Sequence, residues 1–113
     1  KIIENMRKES KLFNERIRNI MRNHWFLSNS RSVGLIGAIE FGYEGNKKFD
    51  AKIKIAAQCV KAIQKNGVIL RALPGDIIGF CPPLIINQEQ INEMFDKIDK
   101  AIKNFDKMAK ALR

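Results

Sequence analysis

A single charge interrupts an otherwise apolar stretch of this sequence. Arg71 lies within Val68-Ile69-Leu70-Arg71-Ala72-Leu73, directly before the turn formers Pro74-Gly75-Asp76. A charge in such a run must be paired, reach solvent or meet an anionic ligand, because burying it alone is costly. A guanidinium at a rigid strand end presents two parallel N–H donors and so suits bidentate recognition of a carboxylate. From the residues alone, a structural ion pair and a ligand contact stand as equal readings.

The other residue types capable of chemistry assemble nothing comparable. His24 and Trp25 could pair an acid–base group with a stacking platform, but no acid or Cys is near in sequence, so packing at a helix end is the better reading. Gly34-Leu35-Ile36-Gly37 lacks the Gly-x-Gly-x-x-Gly spacing of a phosphate loop and has no helix directly after it. None of the fourteen lysines stands in the desolvated setting that activates a Schiff-base nucleophile. Cys59 and Cys81 are too few and too far apart for a disulfide framework or a zinc site, and both read as buried, reduced thiols, which points to the cytoplasm. No metal site and no catalytic set is expected within this chain.

The elements that would hold Arg71 follow from periodicity. Ile2 to Asn23 repeats apolar residues at 3- and 4-residue steps (Ile2, Met6, Phe13, Ile17, Ile20), a helix with one apolar face. Leu27-Ser28-Asn29-Ser30 reads as loop, and Ser32 to Phe41 as one strand covered on both faces, with Gly34 and Gly37 marking close backbone approach or a bulge. Asp50 caps a helix running to about Lys65 and stopped by Asn66-Gly67. Val68–Leu73 and Ile77–Phe80 flank Pro74-Gly75-Asp76 as a hairpin, and Pro82-Pro83-Leu84-Ile85-Ile86 is an extended edge segment. Asn87 with Gln90 opens the last helix, whose stripe is Ile91, Met94, Phe95, Ile98, Ile102, Phe105, Ala109 and Leu112. The fold class is α+β: a two-layer sandwich in which helices cover a small, mostly antiparallel sheet.

Residues 1–113 suffice for one domain with one core. The net charge of +9 raises the question of nucleic acid, yet the basic residues are spread along two helices among Glu4, Glu9, Glu15, Glu93, Asp96, Asp99 and Asp106. That interleaving describes solvated helix faces rather than a binding patch. No apolar run nears the roughly 20 residues of a membrane span, and Lys1-Ile2-Ile3-Glu4-Asn5 has none of the features of a signal peptide. Neither nucleic acid nor membrane is an expected partner.

The order and spacing of these residues resemble a known family. Gly67-Val68-Ile69-Leu70-Arg71-Ala72-Leu73-Pro74-Gly75-Asp76, then Ile77 to Pro82-Pro83 and Gln90-Ile91-Asn92-Glu93-Met94, is similar to the C-terminal signature of class III aminotransferases of the ω-transaminase type. Arg31-Ser32-Val33-Gly34-Leu35-Ile36-Gly37-Ala38-Ile39-Glu40-Phe41 resembles their strand entering the small domain, and Glu4 to Arg18 the helix before it. Two departures stand out: His24-Trp25-Phe26-Leu27 replaces a commoner His-Pro turn, and Asn87 stands where Thr or Ser is frequent.

The resemblance implies the small domain of a homodimeric fold-type I enzyme that uses pyridoxal phosphate to move an amino group between an amine or amino acid and a keto acid. It implies that Arg71 holds the substrate carboxylate and swings aside for an amine without one. It also implies that the cofactor lysine and phosphate groups belong to a large domain outside these residues, so that the chain alone binds no cofactor and is inactive. The alternative is a stand-alone α+β domain that binds a ligand or partner. Freed from a large domain, Ile2, Ile3, Met6 and Phe13, or the Leu84-Ile85-Ile86 edge, would form an apolar patch through which the chain dimerises.

Overall fold

Helical periodicity at the N-terminus gives α1 (Ile2–Asn23), whose Phe13, Ile17 and Ile20 are buried at successive turns. The computed structural model describes residues 2–44, 47–82 and 86–112. After α1 the chain forms a hairpin of β1 (Leu27–Val33) and β2 (Ile36–Phe41), paired antiparallel. The sequence had suggested a single strand from Ser32, with Leu27–Ser30 as loop. Instead Gly34 turns the chain with φ +60°, and Ser28, Ser30 and Ser32 belong to β1. Burial in β2 alternates, so the sheet is covered on one face and open on the other. Gly37 does mark a close approach: a Cβ there would lie 3.2 Å from both Ile17 Cδ1 and Phe13 Cε2. Its bare backbone lets α1 settle onto the sheet.

Asp50 accepts a hydrogen bond from the Lys52 backbone N–H at 3.0 Å, but it caps a 3₁₀ turn (Ala51–Ile53) rather than the helix itself. Lys54 then adopts a left-handed conformation, and α2 runs Ile55–Gln64. The chain leaves α2 at Gly67, with φ +89°. Strands β3 (Arg71–Leu73) and β4 (Ile77–Phe80) form the second hairpin around Pro74-Gly75-Asp76. Gly75 has φ +87° and Asp76 φ +56°, which explains the Gly in that turn. β3 is shorter than the apolar run suggested, since Val68, Ile69 and Leu70 lie before the ladder. Of the expected edge segment, Pro83, Leu84 and Ile85 lie outside the described residues; Pro82 and Ile86 are buried and belong to no strand.

The last helix, α3 (Gln88–Leu112), opens as expected. The Gln90 N–H donates to Asn87 Oδ1 at 2.8 Å, and the Asn87 N–H donates to Gln90 Oε1 at 3.1 Å. These two bonds satisfy orphan donors reciprocally. The sheet order is β1-β2-β4-β3, every pair antiparallel. Phe13 meets Phe95 edge-on at 5.6 Å, and Phe80 of β4 stacks on the same Phe95 at 5.9 Å. Thus α1 and α3 share one face of the sheet, while α2 packs against α3 and the β3–β4 edge. The result is an α+β two-layer fold with one continuous buried cluster.

Two expectations are overturned by packing. Phe13 is fully buried and contributes nothing to an exposed patch; the side chains of Ile2, Ile3 and Met6 lie outside the described residues. Cys59 is buried as expected, and burial pushes its thiol up to about 12, but Cys81 is exposed because it follows β4 at the rim of the open face.

Candidate functional site

Arg71 opens β3 opposite Gly79 of β4, with Leu73 opposite Ile77. Ile78 and Phe80 are the buried members of β4, so the alternation along the strand places Gly79, Arg71 and Leu73 on the open face. Register carries the same row onward: Gly79 pairs with Ala38, and Ala38 with Arg31. Arg31, Ala38, Gly79 and Arg71 therefore line up across all four strands, two guanidinium-bearing residues flanking two small ones. Their surroundings differ. Arg31 lies 3.8 Å from the Glu40 carboxylate, whose other oxygen is 3.6 Å from Lys48 Nζ. Arg71 is exposed and has no ion pair among the described residues.

Neither of the two readings open for Arg71 finds a partner for it among the described residues. The charge is tolerated because it reaches solvent at a strand start, beside a turn whose backbone is tied to β2 by the Phe41 N–H donating to Asp76 O at 3.0 Å. Next to it a groove of about 370 Å³ opens over the Ala38–Gly79 floor.

His24 gains partners that sequence distance concealed. Asp99 and Asp106 of α3 stand beside it, while its ring lies 5.5 Å from that of Phe26. Half-burial lowers its pKa below the ordinary histidine value, and the two carboxylates oppose that shift less strongly. Burial also raises Asp99, against the pull of Arg16 and His24. The Trp25 indole N–H donates to Asp106 Oδ1 at 2.6 Å, and Arg16 bonds Asp96 at 2.7 Å while lying over the Phe95 ring at 5.6 Å. The Trp25–Asp106 and Arg16–Asp96 contacts tie α1 and the residues that follow it to α3, in keeping with the packing role read for His24 and Trp25. The helical repeat of acids every three or four residues in α3 was the signal that one face could meet them.

Every described lysine side chain is exposed. Among the described residues no group of three or more His, Cys, Asp or Glu could hold a metal ion, and no helix is long and apolar enough to cross a membrane.

Three helices on a four-stranded antiparallel sheet define a small α+β domain whose open face carries Arg31, beside Glu40, and Arg71, which has no ion pair among the described residues. Residues 1–102 match the family described as Aminotransferase class-III. The chain is 44% identical over 77 residues to an uncharacterized aminotransferase of Sinorhizobium fredii, covering 66% of this chain and 16% of that protein. It is 34% identical over 108 residues to a probable mitochondrial ornithine aminotransferase of Caenorhabditis elegans, covering 95% and 23%. Among solved structures it resembles a Vibrio fluvialis aminotransferase in its PMP-bound form, with a TM-score of 0.82 and 28% identity, over 91% of this chain and 23% of that one. The chain belongs to the class III aminotransferase family, and it spans 16–23% of the length of these relatives.

Proposed function

We propose that this chain is the C-terminal small domain of a pyridoxal-phosphate-dependent class III aminotransferase and that Arg71 binds the carboxylate of its amino-acid or keto-acid substrate. The observation that carries the reading is the exposed guanidinium of Arg71, without an ion pair among the described residues and held at the start of β3 on the open sheet face. A fixed strand start supplies orientation, and the planar fork supplies two charge-assisted hydrogen bonds to a carboxylate. Exposure leaves the side chain free to move when an amine carries no carboxylate. In the family, pyridoxal phosphate supplies the electron sink that stabilises charge at the substrate carbon.

The residues described here do not fit that cofactor. Every described lysine is exposed, and a Schiff-base lysine needs desolvation or a cationic neighbour to lower its pKa. We therefore place the cofactor site, and with it the transamination step, in the larger part of the polypeptide that the relatives possess. The parent enzyme is read as a cytoplasmic homodimer acting on amines or amino acids with keto acids, without nucleic-acid or membrane partners. The chain alone is read as inactive.

The test is Arg71→Ala in the aminotransferase polypeptide that carries this region. Losing a bidentate charged contact lowers kcat/KM for carboxylate substrates by about 2–4 kcal/mol. A carboxylate-free amine keeps its half-reaction rate. Equal losses for both substrate kinds would make Arg71 structural.

A further inference from the structure

Arg71 stands on a strand that has little of its own to hold it in place. β3 is an edge strand of three residues, paired with β4, and Arg71, Ala72 and Leu73 are all exposed. A strand with one face in the core has its register dictated by what it buries. None of the three side chains of β3 is buried, so an apolar pattern does not fix its pairing. A slip of one residue would carry Arg71 to the opposite face of the sheet, where Ala72 now stands. The register is left to the turn Pro74-Gly75-Asp76, which joins the paired Leu73 and Ile77.

Two consecutive residues of that turn have positive φ, Gly75 at +87° and Asp76 at +56°. Glycine enters that region freely, and Asp and Asn tolerate it better than other side chains do. The conformation of Asp76 matters beyond the hairpin, because its carbonyl accepts the Phe41 N–H at 3.0 Å. Phe41 ends β2, is buried, and stacks on Phe26 at 6.0 Å. The turn is thereby pinned to the core from the β2 side. The Asp76 carboxylate has no ion pair among the described residues, so the demand visible at this position is on the backbone rather than on charge.

We propose that Asp76 is a positioning residue for the substrate carboxylate: its left-handed backbone fixes the β3–β4 register and so holds Arg71 on the open face. The inference rests on the reading of Arg71 as the carboxylate site and adds the residue that aims it.

The test uses the cofactor-loaded aminotransferase polypeptide that carries this region, and follows the half-reactions of an amino acid and of a carboxylate-free amine. Asp76→Val puts a β-branched side chain where φ is positive. It lowers kcat/KM for the amino acid about tenfold, the scale of a misplaced contact, and affects the amine far less. Asp76→Asn and Asp76→Gly accept the conformation without the charge and keep the wild-type ratio between the two substrates. Gly75→Ala, strained at φ +87°, shifts the ratio in the same direction as Asp76→Val. In an Arg71→Ala background, Asp76→Val lowers the amino-acid rate no further, because the residue acts through the guanidinium.

Equal losses for both substrates in Asp76→Val and Gly75→Ala, or a failure of both variants to give a folded enzyme, would make the turn structural and overturn the inference. A loss in Asp76→Asn as large as in Asp76→Val overturns it as well, by assigning the role to the carboxylate. A selective loss in Arg71→Ala with none in Asp76→Val overturns the positioning role alone. Arg71→Ala without selective loss overturns the carboxylate reading and this inference with it.

Discussion

At the scale of single residues, Arg71 and His24 show how neighbours decide what a group can do. Arg31 and Arg71 occupy the same row of the sheet, yet among the described residues an acid pairs with Arg31 and none with Arg71. That difference, invisible in the strand's own sequence, is what leaves Arg71 available to an external anion. His24 is the reverse case, a group whose environment limits it. Because burial depresses its folded-state pKa below 6.5, the unfolded chain binds the proton more readily. Its contribution to stability is therefore present above the unfolded value and is lost as pH falls through and below it, down to the folded pKa. Thermal midpoints measured at pH 7.5 and at about pH 5.5 should differ more for the wild type than for His24→Gln. A difference of the same size in both would assign the pH dependence to other groups.

Elements were legible in proportion to how much of their pattern is local. The α1 and α3 stripes follow from 3- and 4-residue spacing, and the Asn87–Gln90 cap from two residues three apart. Replacing Asn87 by Ala removes the acceptor of the 2.8 Å bond and should lower stability by about 1 kcal/mol, while Ser keeps most of it. Chemical denaturation of the two variants checks this, and equal midpoints would mean that the α3 start is held elsewhere. β1 was missed because its pairing is held by backbone bonds. Only Leu27 at its start is an apolar inward residue; Ser30 and Ser32 face inward but are polar, Asn29 and Arg31 lie on the outward face, and an irregularity between Leu27 and Asn29 breaks the register, so no apolar alternation announces a strand. Lys54 broke the expected single helix into two pieces, since nothing in its type signals a left-handed conformation. The candidate site was half legible. Arg71 was identifiable from its apolar run, but the Ala38–Gly79 floor depends on a register between strands distant in sequence.

At the scale of the whole molecule, the apolar surface is distributed unevenly. Of the exposed large apolar residues described, Val33, Ile36, Ile69 and Leu73 lie at or around the open sheet face, and only Met108 lies apart on α3. Of the patches expected from sequence, Ile2, Ile3, Met6 and Phe13 or the Leu84-Ile85-Ile86 edge, the described side chains Phe13 and Ile86 are buried. Any self-association of the chain should therefore run through the hairpin tip and open face, since contiguous apolar patches find partners. Sedimentation at rising concentration should show a dimer that Val33→Lys disperses and that moderate salt leaves intact. A dimer unaffected by Val33→Lys would locate the contact elsewhere.

The central claim is that this chain is one part of an aminotransferase whose cofactor chemistry resides in the rest of the polypeptide. The most direct measurement is to mix the chain with pyridoxal phosphate, desalt it, and record the retained absorbance together with transamination of an amine and a keto acid. The account predicts no retained stoichiometric cofactor and no turnover for the chain alone, and both for the polypeptide that contains it. A stoichiometric absorbance that survives desalting and maps to a single lysine of these 113 residues would contradict it.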